Sequence, residues 1–259
     1  MAKTLGILLT LLCLSMGAVV WLHHLGAGVT SADLTVLCAA SLKPPMEAVG
    51  GAYRAQSGEG LRLQWGGSAT LLGQIQITRR GDVLITADEG TMTDARRGGW
   101  VLEAAPLLTQ RPVFAVRAGN PKAIHELSDL FRPDVRVGLA DPKAASIGRA
   151  TRDGLGEVWP KLAAHAAVMK PVVTEIAGDL VLGAVDVAVV WDSTLRQFPG
   201  LQRVDFPGIA FAPEHAWAAT LTRAAHPAAA QRFAAFLRTQ ASQEVFKSHG
   251  YAPATAQTP

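Results

Sequence analysis

Two serines stand where a hydroxyl could meet a charge. Ser41 follows the apolar run "LTVLCAA", and Ser68 follows Gly66-Gly67 in "LRLQWGGSATLLGQI". In both places an apolar stretch ends in small residues and a serine, and a helical pattern begins. A helix start leaves its first N–H groups without intrahelical partners and carries roughly half a positive charge. A serine placed there sets a hydroxyl beside free amide donors, which is the chemistry of an anion site. The same grammar recurs at Thr86, Ala87 and Asp88 in "DVLITADEG", and at Ser146, Ile147 and Gly148 in "ADPKAASIGRA". It recurs again at Glu175, Ile176 and Ala177 in "VVTEIAGDL", and "VDVAVVW" closes on Trp191. Each has a plain structural alternative. A serine before a helix is a cap contributing ~1 kcal/mol, Asp141-Pro142 is turn chemistry, and Trp191 is core or cleft wall. Together, four converging helix starts would compensate a dianion without Lys or Arg. Serine hydroxyls would favour a fully deprotonated acceptor over one carrying a P–OH. Lys43, just past the first start, reads as a solvated surface lysine.

The elements that must position these residues alternate. Strand candidates are Leu34–Cys38, Leu61–Trp65, Val83–Thr86, Val113–Val116, Val135–Leu139, Val172–Thr174 and Val187–Trp191. Helical patterns fall at 42–56, 69–79, 89–98, 126–131, 147–164 and 177–184. Such alternation predicts parallel sheets flanked by helices. A last helical stretch, "PAAAQRFAAFLRTQASQEVFKSHG", sets Phe233, Phe236, Leu237 and Phe246 on one face and stops at Gly250. Two Pro- and Gly-punctuated extended segments, 107–121 and 201–222, predict chain crossings between two lobes. Pro44 and Pro45 fit a first helical turn, where a missing N–H costs little.

The 259 residues suffice for two lobes with real cores. Net charge is +3, and the only basic pairs are Arg79-Arg80 and Arg96-Arg97, so no stripe supports nucleic-acid binding. Eighteen uncharged residues, Leu5 to Leu22, follow Lys3, and the chain then turns small and polar. This is an export signal. Its length lies between the ~7–15 apolar residues of a cleaved core and the ~17–25 of a spanning helix. Residues 1–32 are therefore a signal peptide or an N-terminal membrane anchor, with residues 5–22 as the tether. Cys13 falls in that segment and Cys38 in the first strand, so no disulfide framework is expected. Cys38 reads as a small buried hydrophobe.

The motifs taken in order, "TVLCAASL", "GGSATLLGQI", "GDVLITAD", "ADPKAASIGRA" and "GAVDVAVVW", resemble those of the periplasmic molybdate-binding proteins of ABC importers. The resemblance covers about 33–251 and includes the closing "FAAFLRTQASQEVFKSHGY". It implies an α/β, two-lobed, class II periplasmic-binding-protein fold. Each lobe would be a mainly parallel sheet flanked by helices, with two crossover strands as hinge. Residues 33–110 plus 212–259 would form lobe 1, and 111–211 lobe 2. The oxyanion would lie between them. Carried over by position, Ser41 and Ser68 give hydroxyl and backbone donors, Ala87 a backbone contact, and Ile147 and Ile176 main-chain N–H groups at helix starts. Trp191 stands where many members have a tyrosine, and Gly66-Gly67 where side chains are often polar. Tryptophan has one N–H donor and no hydroxyl. The resemblance implies a monomer at the outer face of the cytoplasmic membrane or in the periplasm. It would deliver molybdate, or tungstate, to a membrane permease, with no cofactor and no resident metal.

Other classes leave different marks. A membrane-anchored sensor for another oxyanion would share every feature above. A serine hydrolase would need Ser41 or Ser68 beside His125, His165, His215, His226 or His249, yet there is no G-x-S-x-G elbow. The chain is read as a binding protein, not an enzyme. A metal-cation receptor would draw on Asp88, Asp141, Glu175, Asp179 and Asp192, which lie near the motif ends.

Overall fold

The computed structural model describes residues 33–254. The export segment at 1–32 and Cys13 lie outside them. Among the described residues no helix is long and apolar enough to cross a membrane.

Strands β1 (Leu34–Ala39), β2 (Leu61–Gly66), β3 (Val83–Thr86), β4 (Val101–Gln110), β10 (Glu214–Leu221) and β11 (Ala252–Pro253) form one sheet. Its order is β11-β4-β10-β3-β1-β2. Strands β5 (Pro112–Arg117), β6 (Val137–Ala140), β7 (Val168–Lys170), β8 (Val187–Trp191) and β9 (Leu201–Val204) form a second, in the order β7-β6-β8-β5-β9. β1 pairs in parallel with β2 and β3, and β6 with β7 and β8. The pairings of β10 and β5 are antiparallel. Both sheets are thus mixed. Their parallel parts are the βαβ segments foreseen from the alternating pattern, and the crossing strands supply the antiparallel members. Parallel strands send their carboxyl ends to one edge, where ligands of open α/β sheets bind.

The chain crosses between sheets twice. β4 runs into β5 over Arg111 alone, and β9 returns to β10 through residues 205–213. Arg111 is pinned at the first crossing. Its N–H donates to Asp192 Oδ1 (3.1 Å) and its carbonyl accepts from Asp192 N (2.9 Å).

Nine helices follow in the described residues: α1 (Lys43–Ser57), α2 (Ser68–Thr78), α3 (Glu89–Arg97), α4 (Ser146–Leu155), α5 (Trp159–His165), α6 (Val173–Leu182), α7 (Asp192–Gln197), α8 (Pro227–Phe236) and α9 (Gln240–Ser248). The period of two along β1 assigns its faces. Leu34, Val36 and Cys38 meet Met46, Val49 and Tyr53 of α1 with Phe233, Leu237 and Phe246. Leu37 points the other way, with Leu84, onto Leu71 and Ile75 of α2 and Met92 of α3. Burial pushes the free Cys38 thiol well above its ordinary value, as suits an inert core residue.

Each sheet also carries the same clamp, one residue before a central strand. Asp82 N donates to Thr35 O, and Asp82 Oδ2 accepts Thr35 N–H (2.8 Å). Asp186 N donates to Arg136 O, and Asp186 Oδ2 accepts Arg136 N–H (2.9 Å). Both carboxylates are buried, and each ties its own strand to the parallel neighbour at the amino end. Burial would raise the Asp186 carboxyl, but the Arg136 guanidinium and N–H outweigh it and hold the group below its ordinary value.

Three elements differ from the sequence expectation. The stretch 147–164 is broken by Gly156 (φ 50) into α4 and α5, joined by a short 3-10 segment. The stretch 126–131 is a 3-10 turn, Leu127–Phe131. Val172–Thr174, expected as a strand, is a helix start, and the strand is the earlier Val168–Lys170. That strand lies at the sheet edge and alternates only weakly. The β-branched run after it mimics a strand, but Pro171 has no N–H to continue a ladder.

Candidate functional site

The carboxyl ends of β1, β2, β3 and β8 and the starts of α2, α4 and α6 enclose a small cavity. Ser41, Gly67, Ser68 and Ala87 line it from one lobe, and Ser146, Ile147, Val173 and Trp191 from the other. The volume open to the centre of a water-sized sphere is about 20 Å³. One water needs ~10–15 Å³ on that measure. A space of this size suits a single small ion.

Its walls are helix starts that no side chain caps. The 3-10 turn Ala40–Leu42 before α1 has Ala39 at its cap position, α2 has Gly67, α4 has Ala145 and α6 has Val172. None of these four makes a side-chain cap hydrogen bond. None has an accepting side chain, whereas Ser, Thr, Asp and Asn are the usual choices. Helices α3 and α9 follow the usual rule. Asp88 accepts from Thr91 N (3.2 Å) and Thr239 from Ser242 N (3.4 Å). Helices α1, α5, α7 and α8 also lack side-chain caps, so what marks these four starts is that they face the cavity, where free N–H groups and the positive helix ends can meet an anion.

The serines play different parts. Ser41 Oγ is buried and has no hydrogen-bond partner in the protein. Its carbonyl is held from two sides, by Tyr251 Oη (2.6 Å) and by Gln197 Nε2 of α7 (2.7 Å). Burial drives the Tyr251 phenol well above its ordinary value, so it stays a donor. Ser68 is the first residue of α2 rather than its cap, and its Oγ accepts the Ala87 N–H at 3.0 Å. Ala87 therefore lines the cavity with its amide turned to Ser68. Gln110 Nε2 holds the Ala87 carbonyl at 2.9 Å.

Contacts across the cleft show the lobes closed. Ser146 Oγ lies 2.6 Å from Ser68 Oγ and 2.9 Å from Asp88 Oδ1. Thr70 N donates to Ala144 O (3.4 Å), and Arg149 Nη1 to Asp94 Oδ2 (3.1 Å). Gly67 sits where the lobes come nearest. A Cβ there would fall 2.6 Å from Pro171 O and closer still to Ala144 O, both backbone atoms of the opposite lobe.

Five of the six residues singled out from the sequence come together here: Ser41, Ser68, Ala87, Ile147 and Trp191. Ile176 does not. It lies one turn into α6, fully buried, with its Cγ2 beside Gly138. The helix starts four residues earlier than expected, so Val172 and Val173 form the cavity wall instead. Trp191 ends β8, stands at the cap position of α7 and is fully buried against the cavity. Lys43 is exposed and pairs loosely with Glu47 at 3.9 Å. Gln197 and Tyr251 escaped the sequence reading, because their link to Ser41 spans 156 and 210 residues.

Four of the five acidic side chains near the motif ends have other partners. Asp88 caps α3, Asp141 accepts Lys143 N (2.8 Å), Asp179 pairs with Lys170 (3.5 Å) and Asp192 accepts Arg111 N. Among the described residues no three His, Cys, Asp or Glu side chains group to hold a metal ion. Glu214, at the return crossing, is half-buried, and burial together with the nearby Asp88 charge pushes its carboxyl up to about 7.

The family model for bacterial extracellular solute-binding proteins matches residues 34–252, nearly all of the described chain. The chain belongs to that family. It is 28% identical over 227 residues to the molybdate-binding protein ModA of Mycobacterium tuberculosis (strain ATCC 25618 / H37Rv), covering 85% of this chain and 84% of that one. The periplasmic molybdate-binding protein of Azotobacter vinelandii superposes with a TM-score of 0.72 at 19% identity, over 86% of this chain and 100% of that one. The sulfate-binding protein SubI of Mycobacterium tuberculosis H37Rv superposes with a TM-score of 0.75 at 20% identity, over 86% and 88%. These structural likenesses establish the two-lobed α/β fold. The relatives are named as binding proteins, and this solute-binding protein shares their architecture.

Proposed function

We propose that this solute-binding protein captures one tetrahedral oxyanion between its lobes, with molybdate or tungstate as the ligand, and delivers it to the membrane permease of an ABC importer. One observation carries the proposal. The buried, unpartnered Ser41 Oγ and four helix starts without side-chain caps meet around a cavity of about 20 Å³. Neutral donors of this kind hold a dianion through N–H groups and helix ends. They discriminate against a ligand oxygen that carries its own proton, because donor would then face donor. Closure supplies the signal a permease could read, since donors from both lobes reach the ion only when the lobes meet. Interlobe contacts such as Gln197 with Ser41 join that closed state.

The likeness to the molybdate-binding protein of Mycobacterium tuberculosis supports molybdate. The small cavity with Trp191 as a wall gives sulfate, the smaller dianion, as a second reading. Calorimetric titration with molybdate, tungstate, sulfate and phosphate tests both. Tight binding of molybdate and tungstate with weak sulfate supports the first, and the reverse order supports the second. Binding of none of the four overturns the oxyanion assignment.

A further inference from the structure

Beside the ion cavity lies a second, much larger one that an inorganic oxyanion leaves unused. Its volume on the same measure is about 480 Å³, against about 20 Å³ for the first. Pockets for small organic ligands run to roughly 300–1,000 Å³ and sit between domains. This one also lies between the lobes. Pro44 and Trp65 line it from one side, and Gln197 and Phe198 from the other. It is present while the lobes touch across the cleft. Ala40, Gly66 and Val172 line both cavities, so the two adjoin. None of these three has a polar side chain, and none is larger than valine.

The two cavities differ in chemistry. Ser41, Ser68 and Ser146 line the small one alone. The large one is apolar at Pro44, Trp65 and Phe198, and both rings are half-buried, with surface left for an occupant. Lys43 and Glu175 bring one charge of each sign, so its walls fit an uncharged group. A tetrahedral ligand with three oxygens and one carbon matches this division. The oxygens stay with the hydroxyls and bare helix starts. The carbon points past Ala40, Gly66 and Val172, where no side chain donates and none is bulky. Among such ligands the neutral donors favour a sulfonate, which carries no proton near neutral pH. A phosphate monoester is still partly protonated there, with its second pKa at about 6, and its P–OH would face a donor.

We propose that this cleft also binds small organosulfonates, with the sulfonate in the ion cavity and an uncharged alkyl or aryl substituent between Trp65 and Phe198. This rests on the oxyanion assignment above and widens it from inorganic ions to a class of organic ones. Trp65 and Phe198 determine that specificity, because they line the larger cavity and not the ion cavity. Gln197 joins the two sites. It lines the larger cavity while its Nε2 holds the Ser41 carbonyl at 2.7 Å.

Titration calorimetry with methane-, propane-, butane- and benzenesulfonate tests this. The buffer is Tris, because sulfonate buffers would compete. Affinity should rise by up to about fourfold for each CH2 that enters the cavity. Each sulfonate should displace molybdate or sulfate, whichever the protein binds. Trp65→Leu and Phe198→Leu should each weaken benzenesulfonate by about three- to tenfold, the loss of an aromatic contact. Both should leave the inorganic Kd unchanged, which also shows that the variants are folded. Ser41→Ala should weaken sulfonates and inorganic ions together. Affinity that stays flat from methane- to butanesulfonate, or no sulfonate binding beside tight molybdate binding, overturns the proposal and leaves the oxyanion assignment intact. The larger cavity is then only the mouth of the cleft. Sulfonate binding that fails to displace the inorganic ion, or equal losses of both ligands in the two aromatic variants, overturns it as well. Failure to bind molybdate, tungstate, sulfate, phosphate and the sulfonates alike overturns both.

Discussion

Ser41 and Gly67 show how single atoms decide this cleft. Ser41 Oγ is buried without a partner while its carbonyl is clamped by Tyr251 and Gln197. An unpaired buried hydroxyl is a cost to the free protein that a bound anion removes. Ser41→Ala should therefore weaken anion binding by about 10- to 150-fold, the ~1.5–3 kcal/mol of a hydrogen bond to a charged group. The thermal midpoint of the free protein should stay level or rise. Titration calorimetry beside a melting curve separates the two effects. Gly67 has no opposing partner until the lobes meet, and then no room for a Cβ against Pro171 O and Ala144 O. Gly67→Ala should leave the free protein's stability unchanged and cost about 10- to 100-fold in anion affinity, as overpacking does. Equal loss in both measurements would show that the strain acts on the fold rather than on closure.

At the scale of elements, the two sheets repeat one construction. A buried aspartate just before a central strand accepts the N–H of its parallel neighbour, Asp82 with Thr35 and Asp186 with Arg136. Both clamps sit at the amino ends of strands whose carboxyl ends frame the cavity. Asp82→Ala and Asp186→Ala should each lower unfolding free energy by about 1–3 kcal/mol, the penalty of leaving a buried donor unsatisfied. Urea denaturation reads that loss, and the anion Kd should not move in either variant. The repetition was visible in the sequence as "GDVLIT" and "VDVAVVW". What the aspartates do was not, because their partners lie 47 and 50 residues away. The late start assigned to α6 has a similar cause. Valines suit both an edge strand and an uncapped helix start, and only the neighbouring strand settles which they become.

At the scale of the whole molecule, the return crossing carries a carboxyl that responds to pH. Burial first, and then the Asp88 charge, push the Glu214 carboxyl from an ordinary 4.5 up to about 7. The folded chain therefore binds more protons than the unfolded one between those values. Stability contributed by this group is complete below about 4.5, falls as pH rises through the window, and is level above about 7. Glu214→Gln should raise the melting temperature at pH 8 and leave it nearly unchanged at pH 4, as followed by calorimetric scans. A variant that melts with the same pH slope as the wild type would assign that slope to other groups.

The sequence by itself determined the alternating strands and helices, the small residues and serines at their junctions, and the two crossings. It did so because these are local choices of periodicity, cap chemistry and turn residues. It also carried the resemblance that named five of the cavity's residues. Only the tertiary structure decided which helix starts face the cavity bare, and that Val173 rather than Ile176 is presented there. It alone turned Ala87 N–H to Ser68 and linked Ser146 with Asp88 across the cleft. Those outcomes depend on two lobes closing on each other. Hydrogen bonds between residues 58 and 78 positions apart leave no periodicity for a single chain segment to show.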